Sequence, residues 1–195
     1  MVGGPVPAVS GRARQPAASK DLDRTVRFVY GNSMRRRRTL REIQAAAALL
    51  RRGGGRTPSD PIPDAATLAR TATRLRVYEW PLPLGIRGLL ARTPHHQPAL
   101  VVNARLPVVD RNISAAHELG HWLLHAGSTA TVATRSERQR QEWEADRFAR
   151  ELLLPDELLQ RVLVERRCSA KAAALRAGVR ESFLLRRIRE VRLAD

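Results

Sequence analysis

Residues His117–His125 read HELGHWLLH, and this stretch decides how the rest of the chain is interpreted. His117 and His121 are four residues apart, so on an α-helix both imidazoles leave the same face, about one turn apart. Their side chains can then converge on one metal ion, at roughly 2.0–2.1 Å from each nitrogen. Glu118 lies about 100° around the helix, where it can reach a water on that ion without binding the ion itself. The spacing predicts a zinc site with two histidine ligands and Glu118 as the general base.

A third ligand has to come from another element, and residues 142–155, EWEADRFARELLLP, supply a candidate. Glu142 follows His121 by 21 residues, which allows a second, antiparallel helix to bring its carboxylate to the metal. Asp146 is one turn further along the same face, where it can accept the outer N–H of a ligating imidazole. We therefore predict Glu142 as the third ligand and Asp146 as the partner of a ligand. The alternative is a solvent-facing acidic surface paired with neighbouring arginines.

The two motif helices have recognisable ends. Asp110, Asn112 or Ser114 is expected to cap the first helix, and Gly127 to close it. Ser136, with Gln139 three residues on, is expected to open the second helix, which should end at Leu154 before Pro155. Gly120, inside the first helix, predicts a close approach of another backbone.

His125 lies one turn beyond His121, but three histidines spread over about 12 Å of helix cannot all reach one ion. A third histidine ligand of the metzincin kind would be needed at position 127, which is a glycine. We expect His125 to line the cleft, where it could donate a hydrogen bond to substrate, or to lie at the edge of the core.

Composition indicates a soluble, globular, cytoplasmic protein. The chain has 195 residues, 43% of them hydrophobic, and Cys168 is its only cysteine, which excludes an intrachain disulfide and a cysteine-based zinc cluster. No apolar run approaches the roughly 18 residues of a membrane span, and no secretory signal pattern is apparent. The net charge of +16 resembles that of a nucleic-acid-binding protein, but residues 1–60 alone carry 13 basic and 4 acidic side chains. Most of the excess positive charge therefore lies outside the region that holds the motifs.

The remaining sequence predicts an α+β fold, mostly helical, with a small three-stranded sheet. We expect a disordered basic tail at residues 1–38, in which Arg35–Arg38 form a solvated linker, then a zincin-like peptidase domain at 39–155 and a C-terminal helical segment at 156–195 resembling a helix-turn-helix. The expected helices and strands of the domain, in chain order, are helices at 39–52 and 64–75 and strands at 77–80, 84–91 and 99–103. His95 and His96 fall in a polar turn between strands and are expected to be solvated.

The two motifs together resemble the ImmA/IrrE family of bacterial metallopeptidases. That family shows a His-Glu-Leu-Gly-His helix followed by an acid-rich helix with Ala-Asn or Ala-Asp, Phe-Ala and Leu-Leu-x-Pro. The resemblance covers about Pro61 to Pro155 and not the arginine-rich N-terminus. It implies one zinc ion on His117, His121 and Glu142, and a helix-turn-helix repressor of a mobile element or stress regulon as the substrate.

Zinc-dependent peptide hydrolysis is thus the function that the sequence predicts. Two alternatives remain. One is a DNA-binding regulator with a vestigial zinc fold, suggested by the net charge and the C-terminal helices. The other is an interaction protein of the toxin–antitoxin kind whose zinc only stabilises the fold. An intact Glu118 favours the peptidase, because a structural metal site does not need a general base.

Overall fold

The computed structural model describes residues 37–92, 97–125, 134–164 and 169–192. Residues 1–36 of the tail expected at 1–38 lie outside the described residues, as do His95, His96, Gly127 and Cys168. The elements, in chain order, are α1 (Leu40–Gly53), α2 (Ala65–Ala72), β1 (Arg76–Trp80), β2 (Gly88–Arg92), β3 (Pro98–Asn103), α3 (Val108–His125), α4 (Arg135–Leu153), α5 (Asp156–Val164), α6 (Ala170–Arg176) and α7 (Glu181–Arg192). The prediction of an α+β fold with one small sheet is confirmed.

Local signals start the first two helices where the sequence predicts. Thr39 accepts a hydrogen bond from the backbone N–H of Glu42, and the Glu42 carboxylate accepts one from the Thr39 N–H, which forms a complete capping box for α1. Asp64 caps α2 through the N–H of Ala66. The second helix ends at Ala72, three residues earlier than the predicted end at 75.

The sheet has the strand order β1-β3-β2, with β1 parallel and β2 antiparallel to β3. Strand β3 is therefore central, and its Leu100 and Val102 are fully buried. The second strand is shorter than predicted, since it begins at Gly88 instead of 84. A turn at Leu84 and Gly85, with Gly85 at a φ of 90°, occupies the first part of the expected strand.

One hydrophobic core joins the helices to the sheet. Helix α3 packs against β2 and β3 on one side and against α4 on the other, and α1 also packs on α4. Residues of the C-terminal segment share this core, including Leu158, Ala174 and Leu184. None of the helices in the described ranges combines the length and the apolarity needed to cross a membrane.

The predicted starts of the two motif helices are wrong. Helix α3 begins at Val108, directly after Pro107, whose carbonyl accepts from the N–H groups of Asp110 and Arg111. Asn112 is buried inside the helix, where its side chain bonds the backbone of Ala65, Ile62 and Gly178.

Helix α4 begins one residue before the predicted cap. Thr134 and Glu137 form its capping box, in place of Ser136 and Gln139. A carboxylate accepts the hydrogen bond of the cap N–H more strongly than an amide oxygen does. The true cap thus lies two residues earlier than the expected one.

Candidate metal centre

Helix α3 presents its histidines on one face because its opposite face is anchored in the core. Leu119 is fully buried and Leu123 nearly so, while Trp122 is partly buried against the core. His117 and His121 are on the remaining face, which turns toward α4.

Gly120 brings α3 and α4 close together. A Cβ atom at this position would lie 2.9 Å from the Ala145 Cα and 3.2 Å from the Phe148 Cβ, so there is no room for a side chain. The predicted close approach of another backbone is what the structure shows. The helices run antiparallel, since His117 contacts Asp146 while His121 contacts the earlier residue Glu142.

The structure brings the three predicted ligands together. The Nε2 atoms of His117 and His121 are 3.1 Å apart, and they lie 3.2 and 3.3 Å from the two carboxylate oxygens of Glu142. One donor atom from each residue lies within 4.8 Å of the others, so the cluster could hold a metal ion. Two imidazole nitrogens and one carboxylate form the donor set of a catalytic zinc site with an open fourth position. The Glu142 side chain is 63% exposed, which leaves the cluster accessible from solvent.

Asp146 holds His117 in the orientation that faces the cluster. Its Oδ1 lies 3.0 Å from the Nδ1 of His117. With the proton on Nδ1, the Nε2 lone pair points toward His121 and Glu142. Burial lowers the pKa of His117, but the Asp146 hydrogen bond and the charges of Asp146, Glu118 and Glu142 outweigh burial, so this pKa is raised. Burial raises the pKa of Asp146, but the hydrogen bond to His117 and the charges of His117 and nearby arginines leave it lowered.

His121 and Glu118 are the other titrating groups of the centre. The pKa of His121 is lowered, first by burial and then by the neighbouring His117, which favours its neutral, metal-binding form. The pKa of Glu118 is raised, mainly by burial and in smaller part by the charge of Glu142, although His117 opposes the rise. A carboxylate with a raised pKa is better matched to taking up and returning a proton near neutral pH.

Gly88 makes room for Glu118. A Cβ atom on Gly88 would lie 2.8 Å from the Ser114 Oγ, 3.1 Å from the Val101 carbonyl oxygen and 3.2 Å from the Glu118 Cγ. The first residue of strand β2 therefore passes directly against the proposed general base. Gly88 is not among the residues predicted from the sequence, although a lone glycine in a strand pattern is a recognised signal of close approach.

His125 has little contact with solvent. Its side chain is 8% exposed, and its Nε2 is 3.6 Å from the Glu144 Oε2, beyond hydrogen-bonding distance. Burial, the adjacent His121 and the positive charge of Arg38 lower the pKa of His125 to about 3, although a hydrogen bond with the backbone of Gln141 opposes the shift. These contacts favour the expected position at the edge of the core.

Arg38 differs from the expected solvated linker. It is 6% exposed, and its backbone N–H donates to the Glu144 Oε1 at 3.1 Å, while its guanidinium donates to the carbonyl of Leu124. Glu144 itself is only 1% exposed. The chain at residue 38 is therefore fastened between α3 and α4. Arg37 adds a cation–π contact, with its guanidinium carbon 4.6 Å from the ring centre of Trp143.

Comparison with known proteins identifies the family of the chain. The chain is similar in structure to a protein described as a Mycobacterium tuberculosis transcriptional regulator, with a TM-score of 0.54 and 18% sequence identity. The match covers 87% of this chain and 50% of that protein, so this chain spans about half of its length. Comparison with curated proteins found no match. The family model described as Peptidase_M78, IrrE N-terminal-like domain, matches residues 73–189, which include both motif helices, and the chain therefore belongs to this family.

Proposed function

We propose that the chain is a zinc-dependent endopeptidase. The observation that carries the proposal is the convergence of two α3 imidazoles and one α4 carboxylate, beside a partly buried acid, Glu118, that is not one of the three. Zinc with three protein ligands and one open position is the arrangement of catalytic sites, whereas structural sites use four protein ligands. Membership in the Peptidase_M78 family supports the same function.

His117, His121 and Glu142 would hold the zinc ion in this proposal. When bound, zinc would supply Lewis acidity, which polarises a peptide carbonyl and makes a water more acidic. Asp146 accepts a hydrogen bond from the Nδ1–H of His117, which keeps the Nε2 of His117 free for the metal. Each of these roles uses an atom whose position is set by the packing of α3 on α4.

Glu118 acts as general base and then as general acid. Its carboxylate accepts a proton from the attacking water and later gives it to the amine that leaves. Burial raises the pKa of Glu118, which favours this exchange. Because Glu118 lies against Gly88, the reaction would take place next to strand β2.

The edge of strand β2 suits a peptide substrate. In the described residues β2 pairs only with β3, so its other edge has no strand partner. An extended peptide can bind such an edge by forming main-chain hydrogen bonds, which would place it beside Glu118. By family resemblance, the proposed substrate is a helix-turn-helix repressor, cleaved in a region that can be extended.

The replacement of Glu118 by Gln tests the proposal. The substrate is a helix-turn-helix repressor that the wild-type protein cleaves. We expect Glu118→Gln to bind one equivalent of zinc with wild-type affinity and to cleave this repressor at least about 1000-fold more slowly, because general-base catalysis is removed. Purified repressor is incubated with each zinc-loaded protein, and the products are followed by mass spectrometry. Glu181→Gln, which changes an exposed acid at the start of α7, is the matched control. Undiminished cleavage by Glu118→Gln would contradict the general-base role.

A DNA-binding regulator is the second candidate function. The similar Mycobacterium tuberculosis protein carries the name of a transcriptional regulator. In addition, α6 and α7 are joined by a short turn at Gly178, and α7 exposes a polar face that includes Arg186 and Arg189. DNA binding that weakens steeply with salt and is unaffected by Glu118→Gln would favour this function. The partly buried Glu118 beside the cluster favours the peptidase.

A further inference from the structure

We propose that Glu190, on the last helix α7, is a positioning residue of the metal centre. It holds the guanidinium of Arg150 and thereby leaves Asp146 available to His117. This inference rests on the proposed function, because it concerns the same zinc site. It assigns the C-terminal helix a part in that site.

The contacts form a continuous series from α7 to the candidate ligand. The Glu190 Oε2 lies 3.0 Å from the Arg150 Nε. An Arg150 terminal nitrogen lies 3.9 Å from the Asp146 Oδ2, and the other oxygen of Asp146 lies 3.0 Å from the His117 Nδ1. Arg150 is thus shared by two acids, and the shorter of its two contacts is with Glu190.

Because Arg150 is buried, the loss of one of its two acidic partners is expected to affect its contact with the other. The Arg150 side chain is only 2% exposed, so its charge has little access to water and needs an anionic partner. Without the Glu190 charge, Asp146 is the acid that remains in contact with Arg150. Arg150 and Asp146 are one turn apart on α4, so a small side-chain movement closes the gap between them. The Asp146 carboxylate would then be drawn from His117, and the imidazole would lose the bond that orients it.

Helix α7 has anchors in the fold besides Glu190, whose Oε2 also accepts a hydrogen bond from Arg147 of α4 at 3.0 Å. Arg187, one turn earlier, is fully buried and bonds the Glu151 carboxylate at 2.8 Å and the Leu154 carbonyl at 3.1 Å. Phe183 and Leu184 of the same helix lie in the core. Replacing Glu190 by Gln is therefore expected to leave the helix docked.

Zinc affinity of the full-length protein tests the inference, measured by competition with a chromophoric chelator. We expect Glu190→Gln to bind zinc about tenfold more weakly than wild type, and Asp146→Asn about 10- to 100-fold more weakly. The control Glu181→Gln, on the same helix, should bind within about twofold of wild type, since it lies outside this series of contacts. The double variant Arg150→Gln/Glu190→Gln should return to within about threefold of wild type, because the competing guanidinium is gone.

A second measurement distinguishes a change in the orientation of the metal ligand His117 from a general loss of structure. The visible spectrum of the cobalt(II)-loaded protein reports the geometry of the ligands; it should change in Glu190→Gln and return in the double variant. Affinities are compared at a temperature where the unfolding curve of each metal-free variant shows a folded protein. If Glu190→Gln does not fold, Glu190→Asp, which withdraws the carboxylate by one methylene, takes its place with an expected loss of about threefold.

The outcomes are distinct. Wild-type affinity and spectrum in Glu190→Gln, or in Glu190→Asp where that variant is used, together with weakened binding in Asp146→Asn, would overturn the inference and leave the proposed function intact. A double variant as weak as Glu190→Gln would also overturn it, because Arg150 would then not be the competitor. Failure of the wild-type protein to bind zinc would overturn the proposed function itself.

Discussion

His125 is a buried base, and its position sets how the fold responds to acid. The unfolded chain takes up a proton at this residue below the ordinary pKa of about 6.5, whereas the folded chain does so only near its lowered pKa of about 3. Between pH 3 and pH 6.5 the unfolded state therefore binds more protons than the folded state. Stability is therefore lost as the pH falls from about 6.5 toward 3.

We expect His125→Gln to reduce this acid sensitivity. One buried histidine contributes up to about 1.4 kcal/mol of lost stability per pH unit inside that window. Chemical unfolding of the metal-free proteins at pH 7.0, 6.0 and 5.0 measures the effect, with EDTA present so that zinc does not enter. The free energy of unfolding of the wild type should fall faster with decreasing pH than that of His125→Gln. If the free energy of unfolding changes equally with pH in the two proteins, His125 does not have the lowered pKa in the folded state.

Gly88 governs the space around the proposed base. The Cβ of Gly88→Ala would press on the Ser114 side chain, the Val101 carbonyl and Glu118. We expect a loss of stability of about 1–3 kcal/mol, as for other overpacked sites, and a reduced cleavage rate because Glu118 is displaced. Urea unfolding and the repressor cleavage assay measure the two effects. Adding Ser114→Gly removes the nearest clash and should recover part of the stability; a fully stable and active Gly88→Ala would contradict the crowding.

At the scale of elements, the contact between α3 and α4 places the ligands. Gly120→Ala gains about 1 kcal/mol of helix propensity. This gain is outweighed, because the new Cβ meets the Ala145 backbone at 2.9 Å and no rotamer can relieve the contact. The two helices must separate, which moves His121 away from Glu142. We expect a net destabilisation of about 1–2 kcal/mol and weaker zinc binding, measured by thermal unfolding and chelator competition. A variant more stable than wild type would show that the helices can adapt.

Elements that depend on local signals could be predicted from the sequence. The Thr39 and Glu42 capping box and the Asp64 cap involve residues within three positions of each other, and both are present. The start of α4 was missed because two possible capping boxes lie two residues apart, and the one that forms pairs Thr134 with Glu137. The short β2 was missed because the Gly85 turn interrupts an apolar run.

The candidate site also combines contacts that the sequence predicts with contacts that it does not. The meeting of His117, His121 and Glu142 follows from helical periodicity and one antiparallel pairing, so spacing was enough to predict it. The Arg38–Glu144 contact joins residues 106 apart, and no local pattern indicates it. The Arg150–Glu190 pair spans 40 residues and also depends on how α7 docks. Such pairs come from tertiary packing, which periodicity does not encode.

At the scale of the whole molecule, zinc would tie two elements together. Its proposed ligands lie on α3 and α4, so the ion would bind the folded chain far better than the unfolded one. At a free zinc concentration 1000 times the Kd, the expected stabilisation is about 4 kcal/mol. The melting temperature should rise on adding zinc and return to the metal-free value with EDTA, as followed by circular dichroism. His121→Ala should abolish the rise; an unchanged response in that variant would place the ion elsewhere.

The stacking of Arg37 on Trp143 has a practical consequence. Trp143 directly follows Glu142 in the sequence. Its ring contacts Arg37, which is the first residue that the structure describes. Its indole is therefore a built-in fluorophore that senses both the candidate ligand beside it and the contact with Arg37. Replacing Trp80 and Trp122 by Phe would isolate its emission, so that occupancy and this contact can be watched in real time without a label.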